Sequence, residues 1–325
     1  MKALICRDYT GVDDLTVETV PDPEPGAGQM LVDIKAAGIN FPDILMVEGK
    51  YQFRPTPPFS PGAEAAGVVA ELGEGVEGFA VGDRVIISTL HGAFAEKAIA
   101  APPRAVKMPD SMDFNTGAGF TITYSTSYHA LKQRAAIQPG ESLLVLGAAG
   151  GVGLSAVELG KAMGARVIAA ASSDEKLDTA VAAGADERIN YSTEDLKTRI
   201  KELTGGKGAD VVYDPVGGEL AEQALRATAW EGRFLVIGFA SGTIPKVPLN
   251  LALLKGCQIV GVFWGSFAER TPHLHAQNTR EMFDLFEAGK IKPLVSEAFA
   301  LEDFKAAFAT LSERRAKGKL VFAMG

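Results

Sequence analysis

"LLVLGAAGGVGLSAVELGKAMGA", residues 143 to 165, is the stretch on which the fold turns. A short apolar run ends at Gly147, and Ala148, Ala149, Gly150, Gly151, Val152 and Gly153 follow as a helical pattern opens. A turn of such small residues lets backbone come close to a pyrophosphate, and the helix N-terminus offers it free N–H groups and the positive end of a dipole. Ala149 stands where the GxGxxG spacing has its second glycine, so the motif alone is weak. Its setting strengthens it: a strand before, a helix after, and a second apolar strand, "ARVIAAA" (165 to 171), soon following. The competing reading is a tight turn with no ligand.

Outward from this loop the pattern repeats. "SLLVLG" (142 to 147), "ARVIAAA", "ERIN" (187 to 190), "ADVVYD" (209 to 214), "GRFLVIGF" (232 to 239) and "CQIVGVFW" (257 to 264) are short apolar runs suited to buried parallel strands. Amphipathic helical stretches such as "DEKLDTAVAAG" and "TEDLKTRIKELTGG" separate them, which predicts a doubly wound sheet in an α/β protein. Upstream, "MLVDIKAAGI" (30 to 39), "AAGVVAEL" (65 to 72), "DRVIIST" (83 to 89) and "GAFAEKAIA" (92 to 100) lie between glycine and proline turns, as in a small, strongly bent barrel. The tail adds helical "NTREMFDLFEAGK" and "LEDFKAAFATLSERRAKG" and a last strand, "KLVFAMG".

Whole-chain properties set limits. The 325 residues carry 32 Lys and Arg against 40 Asp and Glu, a net charge of −8, which argues against nucleic-acid and anionic-membrane partners. Two cysteines, Cys6 and Cys257, are too few for a disulfide framework or a four-thiolate zinc site and fit a reducing compartment. No apolar stretch reaches spanning length and the opening residues lack a signal-peptide core, so a soluble cytoplasmic protein is expected.

The nucleotide is discriminated at the end of the second parallel strand, where an NAD site would place an acid for the ribose 2′-hydroxyl. Here the chain reads "AASSDEK" (170 to 176): Ser172 and Ser173 can donate to a phosphate and Lys176 supplies charge. Asp174 and Glu175 either serve a ribose or simply begin a helix, where acids are favoured. Tyr191, in "INYS", offers a hydroxyl to the same phosphate or packs. NADPH is preferred to NADH on this basis.

Taken together, "AAGINFPDILMVEGKY" (36 to 51), "PGAEAAGVV" (61 to 69), "VGDRV" (81 to 85), "GAFAE" (92 to 96), "GAAGGVG" (147 to 153), "GADERINY" (184 to 191), "DPVGG" (214 to 218), "FLVIGFASG" (234 to 242) and "GKLV" (318 to 321) carry a family resemblance. The chain resembles the zinc-free quinone oxidoreductase branch of the medium-chain dehydrogenase/reductase superfamily, the branch that includes zeta-crystallin. That resemblance implies a GroES-like bent-barrel catalytic domain over residues 1–122 and 266–325 and a Rossmann NADPH-binding domain over 123–265. Zinc-dependent members carry a cysteine after the second strand and a histidine before the glutamate of "PGAE"; here the "GIN" stretch and Ala63 take those places. Glu64 alone cannot hold a catalytic zinc, which needs about three protein ligands, and the four histidines are scattered, so no metal is expected.

The implied reaction is direct hydride transfer from NADPH to a quinone or related conjugated carbonyl, in which the protein chiefly holds donor and acceptor together in a dry cleft. By resemblance Asn40 and Tyr51 lie beside the nicotinamide, Asn40 as an amide donor and Tyr51 as a hydroxyl able to relay a proton. A turn-capping amide and a half-buried tyrosine are the plainer alternatives. The resemblance also assigns cofactor contacts to Thr126. Phe239 and Ser241 follow the fifth strand and Phe263 and Gly265 the sixth, where ligands lie in such folds. Lys319 either reaches the cofactor phosphates or is solvated. Enoyl-thioester reduction and a structural, cofactor-binding role remain alternatives. The apolar strand 257–264 predicts a homodimer paired edge to edge. For Glu64 itself the preferred reading is a buried acid paired with a base or backbone donors.

Overall fold

The computed structural model describes residues 1 to 324. They divide into two compact units, Met1–Ile122 with Pro293–Gly325, and Thr123–Lys292. In the first unit β1 (Lys2–Ile5) pairs with β2 (Thr16–Thr19) as an antiparallel ribbon. The long β3 (Met30–Ile39) is buried along nearly its whole length and leads into a short helix, α1 (Phe41–Val47). Asn40 caps that helix: its backbone N–H donates to the Asp43 carboxylate at 2.7 Å, the reach-back half of a capping box, with Pro42 in the first turn. Next come β4 (Glu64–Leu72), β5 (Arg84–Ser88), β6 (Lys97–Ala100), β7 (Ala105–Lys107) and α2 (Phe114–Ala118). Strand β3 pairs antiparallel with β4 and with β6, and its register against β4 shifts twice, which supplies the bend expected of the barrel. Gly67 is forced by that crossing, since a Cβ there would lie 2.1 Å from the Asp33 carbonyl oxygen. Only the end of the stretch 92–100 is strand, because Phe94 turns into the core, its N–H bonded to Pro61 and its carbonyl to Leu4.

The second unit opens with α3 (Thr121–Tyr128), which starts in the last residues of the first unit and continues as a wider turn to Arg134. It then alternates β8 (Ser142–Leu146), α4 (Gly151–Ala162), β9 (Arg166–Ala171), α5 (Asp174–Ala182), β10 (Glu187–Asn190), α6 (Leu196–Leu203), β11 (Ala209–Asp214), α7 (Gly218–Arg226) and β12 (Thr228–Val236). After α8 (Asn250–Lys255) come β13 (Gln258–Gly261), α9 (Trp264–Arg270) and α10 (Pro272–Glu287). The six strands are parallel in the order β10-β9-β8-β11-β12-β13, so chain direction across the sheet reverses between β8 and β11. Strand β13 is shorter than the apolar run 257–264, because Trp264 already opens α9, and β12 begins at Thr228, upstream of the apolar run 232–239.

The chain returns to the first unit through β14 (Val295–Phe299), α11 (Phe304–Ser312) and β15 (Lys319–Ala323), completing a sheet ordered β14-β15-β3-β4-β5-β7. The crossing at Lys292/Pro293 corrects the boundary expected at 265/266. Helices α9 and α10 stay with the parallel sheet for a physical reason. Phe267 stacks on His129 at 3.9 Å, Gln133 donates to Asn278 at 2.9 Å, and Glu281 accepts from Tyr128 at 2.5 Å and from Lys132. Both compact units thus match the α/β architecture expected, a bent antiparallel sheet and a doubly wound parallel one.

Candidate cofactor and acceptor site

In the second unit the glycine loop lies at the reversal point of the sheet. Gly147 leaves β8 with φ +59, a conformation that favours glycine, and a Cβ on it would sit 3.0 Å from Val216, in the loop after β11. Gly153, one turn into α4, has no room at all: a Cβ would stand 2.2 Å from the Gly147 carbonyl oxygen. Ala149 is buried, while Gly150, Gly151 and Val152 are partly exposed, and the first helical bond in α4 runs from the Leu154 N–H to the Gly150 carbonyl at 2.7 Å. The N–H groups before it form the helix terminus on which a phosphate would rest. A buried hydroxyl chain holds this turn from below. Ser127 Oγ lies 3.0 Å from the Val152 carbonyl, 2.8 Å from Ser155 Oγ and 2.7 Å from the Tyr213 hydroxyl. Nothing in the spacing of those three residues marked them beforehand. Thr126, their neighbour on α3, is half-buried.

Ser172 and Ser173 follow β9 and Tyr191 follows β10, two neighbouring parallel strands, so their ends meet. Lys176 Nζ donates to Ser172 Oγ at 3.2 Å, and Ser173 caps α5. Asp174, the ambiguous acid, accepts from the Asn190 amide at 3.2 Å and is thereby drawn toward β10. Phe239 and Ser241 lie in the loop after β12, held to the loop after β11 by the Ala240 N–H to Pro215 (3.0 Å) and the Ser241 N–H to Val216 (2.9 Å). The loops after β8, β11 and β12 therefore converge. Phe263, capping α9, is 65% exposed, and Gly265 follows it in that helix.

In the first unit the sequence candidates form a buried polar cluster. Glu64, at the start of β4, is fully buried and accepts three hydrogen bonds: from Lys319 Nζ at 2.7 Å, from the Asn40 amide at 3.0 Å and from the Ile122 N–H at 2.8 Å. Gly38 makes this possible, since a Cβ there would lie 2.6 Å from Glu64 Oε1 and 2.2 Å from the Ala118 carbonyl. Lys319 also donates to the Ile39 carbonyl at 2.8 Å and to Asn40 Oδ1 at 2.5 Å, so its three protons are spent inside the fold. This corrects both expectations for Lys319: it is neither solvated nor free to reach a cofactor phosphate. Asn40 is corrected in the same way. Its amide hydrogens go to Glu64 and to the Gly38 carbonyl (3.3 Å), leaving no donor for a ligand. Tyr51, beyond α1, is half-buried against the barrel core, and burial together with the nearby Asp43 raises its hydroxyl above the usual phenol range. Asp43 was missed in the sequence, although Asn40 followed by an acid three residues later is a helix-start signal. It is fully buried, and burial pushes its carboxyl up to about 7.

Comparison with known proteins gives the class first. Residues 26–110 match the alcohol dehydrogenase GroES-like domain and residues 151–286 the zinc-binding dehydrogenase family. The chain is 40% identical over 299 residues (91% of this chain, 82% of the other) to the quinone oxidoreductase-like protein 2 homolog of Nematostella vectensis. It superposes on Escherichia coli quinone oxidoreductase complexed with NADPH with a TM-score of 0.93 at 30% identity, all of both chains being covered. It also superposes on the CurK enoyl reductase with a TM-score of 0.90 at 28% identity, over 100% of this chain and 99% of that one. The chain belongs to the quinone oxidoreductase family of the medium-chain dehydrogenase/reductase superfamily.

The name of the second matching family raises the question of zinc. Among the described residues no group of three or more His, Cys, Asp or Glu side chains is placed to hold a metal ion. Glu64, the one carboxylate at the family's metal position, has an ammonium 2.7 Å from it, where a dication would be repelled. This donor set does not fit zinc.

Proposed function

We propose that this chain is a reductase that uses NADPH and transfers its hydride, without a metal, to quinones or related conjugated carbonyls. The observation that carries the reading is the glycine loop at the sheet reversal, with Lys176 and Ser172 joined at the neighbouring strand end. The cradle fits a dinucleotide: backbone at Gly147 and Gly153 leaves no Cβ in the way, and the α4 terminus faces outward. When bound, NADPH supplies the hydride. Gly150, Gly151 and Val152 hold its pyrophosphate, Ser172, Ser173, Lys176 and Tyr191 its 2′-phosphate, and Thr126, Phe239, Ser241, Phe263 and Gly265 border the rest. Asn40 acts by fixing α1 and Glu64, and Tyr51 is the residue that meets the acceptor and gives it a proton. Two unpaired buried cysteines support a reducing, cytoplasmic setting.

The test is NADPH oxidation against a panel of ortho- and para-quinones, 2-alkenals and enoyl thioesters. Turnover with quinones is expected; preference for the thioesters would favour the second reading, which the likeness to the CurK enoyl reductase supports. Tight NADPH binding with no turnover would favour a structural role. In the same assay Lys176→Ala raises KM for NADPH by roughly 10- to 100-fold and leaves NADH unchanged, since a charged hydrogen bond contributes about 1.5–3 kcal/mol. Equal losses with both cofactors would remove the phosphate assignment.

The reading includes a homodimer across β13. That strand ends the sheet, and Ile259 (37%), Leu253 (80%), Leu254 (67%) and Trp230 (70%) are exposed around it, Trp230 packing on Gly256 just before the strand. An uncovered apolar edge invites pairing with its own copy. Sedimentation of the wild type gives twice the chain mass, and Ile259→Lys shifts it toward the monomer; a monomeric wild type rejects the interface.

A further inference from the structure

We propose that Tyr213 and Ser127 are positioning residues for the dinucleotide: through one buried series of hydroxyls they fix the first turn of α4, so that its N–H groups stand where the pyrophosphate needs them. This inference rests on the cofactor reading above and assigns part of the cofactor's affinity to side chains that do not touch it.

The first turn of α4 is poorly fixed by its own residues. Gly150, Gly151 and Gly153 restrict their backbone less than any other residue would. Helices α5 and α6 are anchored by side-chain caps, Ser173 accepting from the Lys176 N–H and Asp195 from the Thr198 N–H, but Gly150 gives α4 no such bond. A capping side chain there would take up the N–H groups that a phosphate uses. The anchor comes instead from the buried side of the turn. It arrives at the Val152 carbonyl, which faces Ser127 Oγ and Ser155 Oγ, each at 3.0 Å. Because Ser127 follows Thr126 on α3, the same contacts hold the element assigned to the nicotinamide half against the turn assigned to the pyrophosphate.

The direction of the series follows from its protons. Tyr213 is fully buried in β11, and among the described residues its hydroxyl meets only Ser127 Oγ, at 2.7 Å. Burial holds that hydroxyl above the usual phenol range, so its proton stays on the oxygen. A buried O–H with one polar neighbour donates to it, so Tyr213 donates to Ser127. Ser127 turns its own proton to the Val152 carbonyl or to Ser155 Oγ at 2.8 Å, and Ser155 turns its proton to Val152 or to the Thr123 carbonyl at 3.1 Å. Each arrangement starts on β11 and ends on a backbone carbonyl of α3 or α4. Packing alone does not account for three hydroxyls in contact. Phenylalanine in β11 with alanine at the two serines would fill the space with no polar group to satisfy.

Fluorescence titration with NADPH and competition by adenosine 2′-monophosphate decide it. The second probe carries the 2′-phosphate end and lacks the pyrophosphate. Tyr213→Phe and Ser127→Ala each weaken NADPH binding by roughly 3- to 10-fold, as expected for the loss of one hydrogen bond, and leave the binding of adenosine 2′-monophosphate unchanged. The double variant binds NADPH no worse than the weaker single variant, because either change interrupts the same series. Equal weakening of both probes, an unchanged NADPH affinity in either folded variant, or additive losses in the double variant overturns the proposal. Ser127→Ala removes one small hydroxyl and carries the test alone if Tyr213→Phe does not fold. A wild type that binds no NADPH overturns the cofactor reading and this inference together; unchanged affinity in the variants overturns this inference alone.

Discussion

Lys319→Met destabilises the first unit by about 3–5 kcal/mol, because it leaves Glu64 charged and buried without its cation. Glu64 has no exposure through which water can replace the ammonium, and the two donors that remain, the Asn40 amide at 3.0 Å and the Ile122 N–H at 2.8 Å, are neutral. Adding Glu64→Gln restores part of the loss, since the neutral amide needs no counter-charge, while its single oxygen can accept from only one of two donors that meet different carboxylate oxygens. Chemical denaturation of the wild type, the single variant and the double variant measures the pair directly. The expectation separates a scaffold from a phosphate ligand. A lysine that met the cofactor would show a raised KM for NADPH with little change in stability, and no rescue from Glu64→Gln.

Gly153→Ala is the second large effect. The new methyl would stand 2.2 Å from the Gly147 carbonyl oxygen and 3.0 Å from the Ala148 Cα, backbone atoms with no rotamer to change, so α4 has to move off β8. Overpacking of this kind costs about 1–3 kcal/mol. The functional loss is larger, because the displaced element is the helix terminus that would receive the pyrophosphate; NADPH affinity falls by at least ~10-fold on the loss of about one charged hydrogen bond. Gly150→Ala is the stability control: its Cβ would meet nothing closer than 3.5 Å, and its φ of −77 suits any residue. Thermal unfolding and NADPH fluorescence titration compare the two, and equal stability in both variants would contradict the close-packing account.

Much of the second unit was legible because buried parallel strands leave continuous apolar runs, as "SLLVLG" and "ADVVYD" do, and because the loop between β8 and α4 had to be small. The unit boundary was hidden by distance. Helix α10 is tied to its unit by Asn278 and Glu281, whose partners Gln133 and Lys132 lie 145 and 149 residues earlier, and no local pattern announces such pairs. Lys319 was misread for the same reason, 279 residues from Asn40. It follows the basic stretch Arg314-Arg315-Ala316-Lys317-Gly318, and only the β15–β3 pairing turns it inward. Glu64 was read correctly as a paired acid, because an apolar run around a carboxylate demands a partner whatever the fold. Asp43 shows the opposite failure: the capping pattern was present at "NFPD", but the helix it starts has only seven residues and gave too little periodicity to be noticed.

The placement of Lys319 on β15 also sets an order of assembly during synthesis. The strand that neutralises Glu64 and lies between β14 and β3 leaves the ribosome only after the whole nucleotide unit has been made. The nucleotide unit, contiguous along the chain, has all its strands in hand before then, whereas the barrel waits with an open sheet edge and a carboxylate lacking its counter-ion. A nascent chain thus has its whole parallel sheet in hand before it can close the bent one, and ribosome stalling ahead of residue 319 would yield a completed second unit beside an unfinished first.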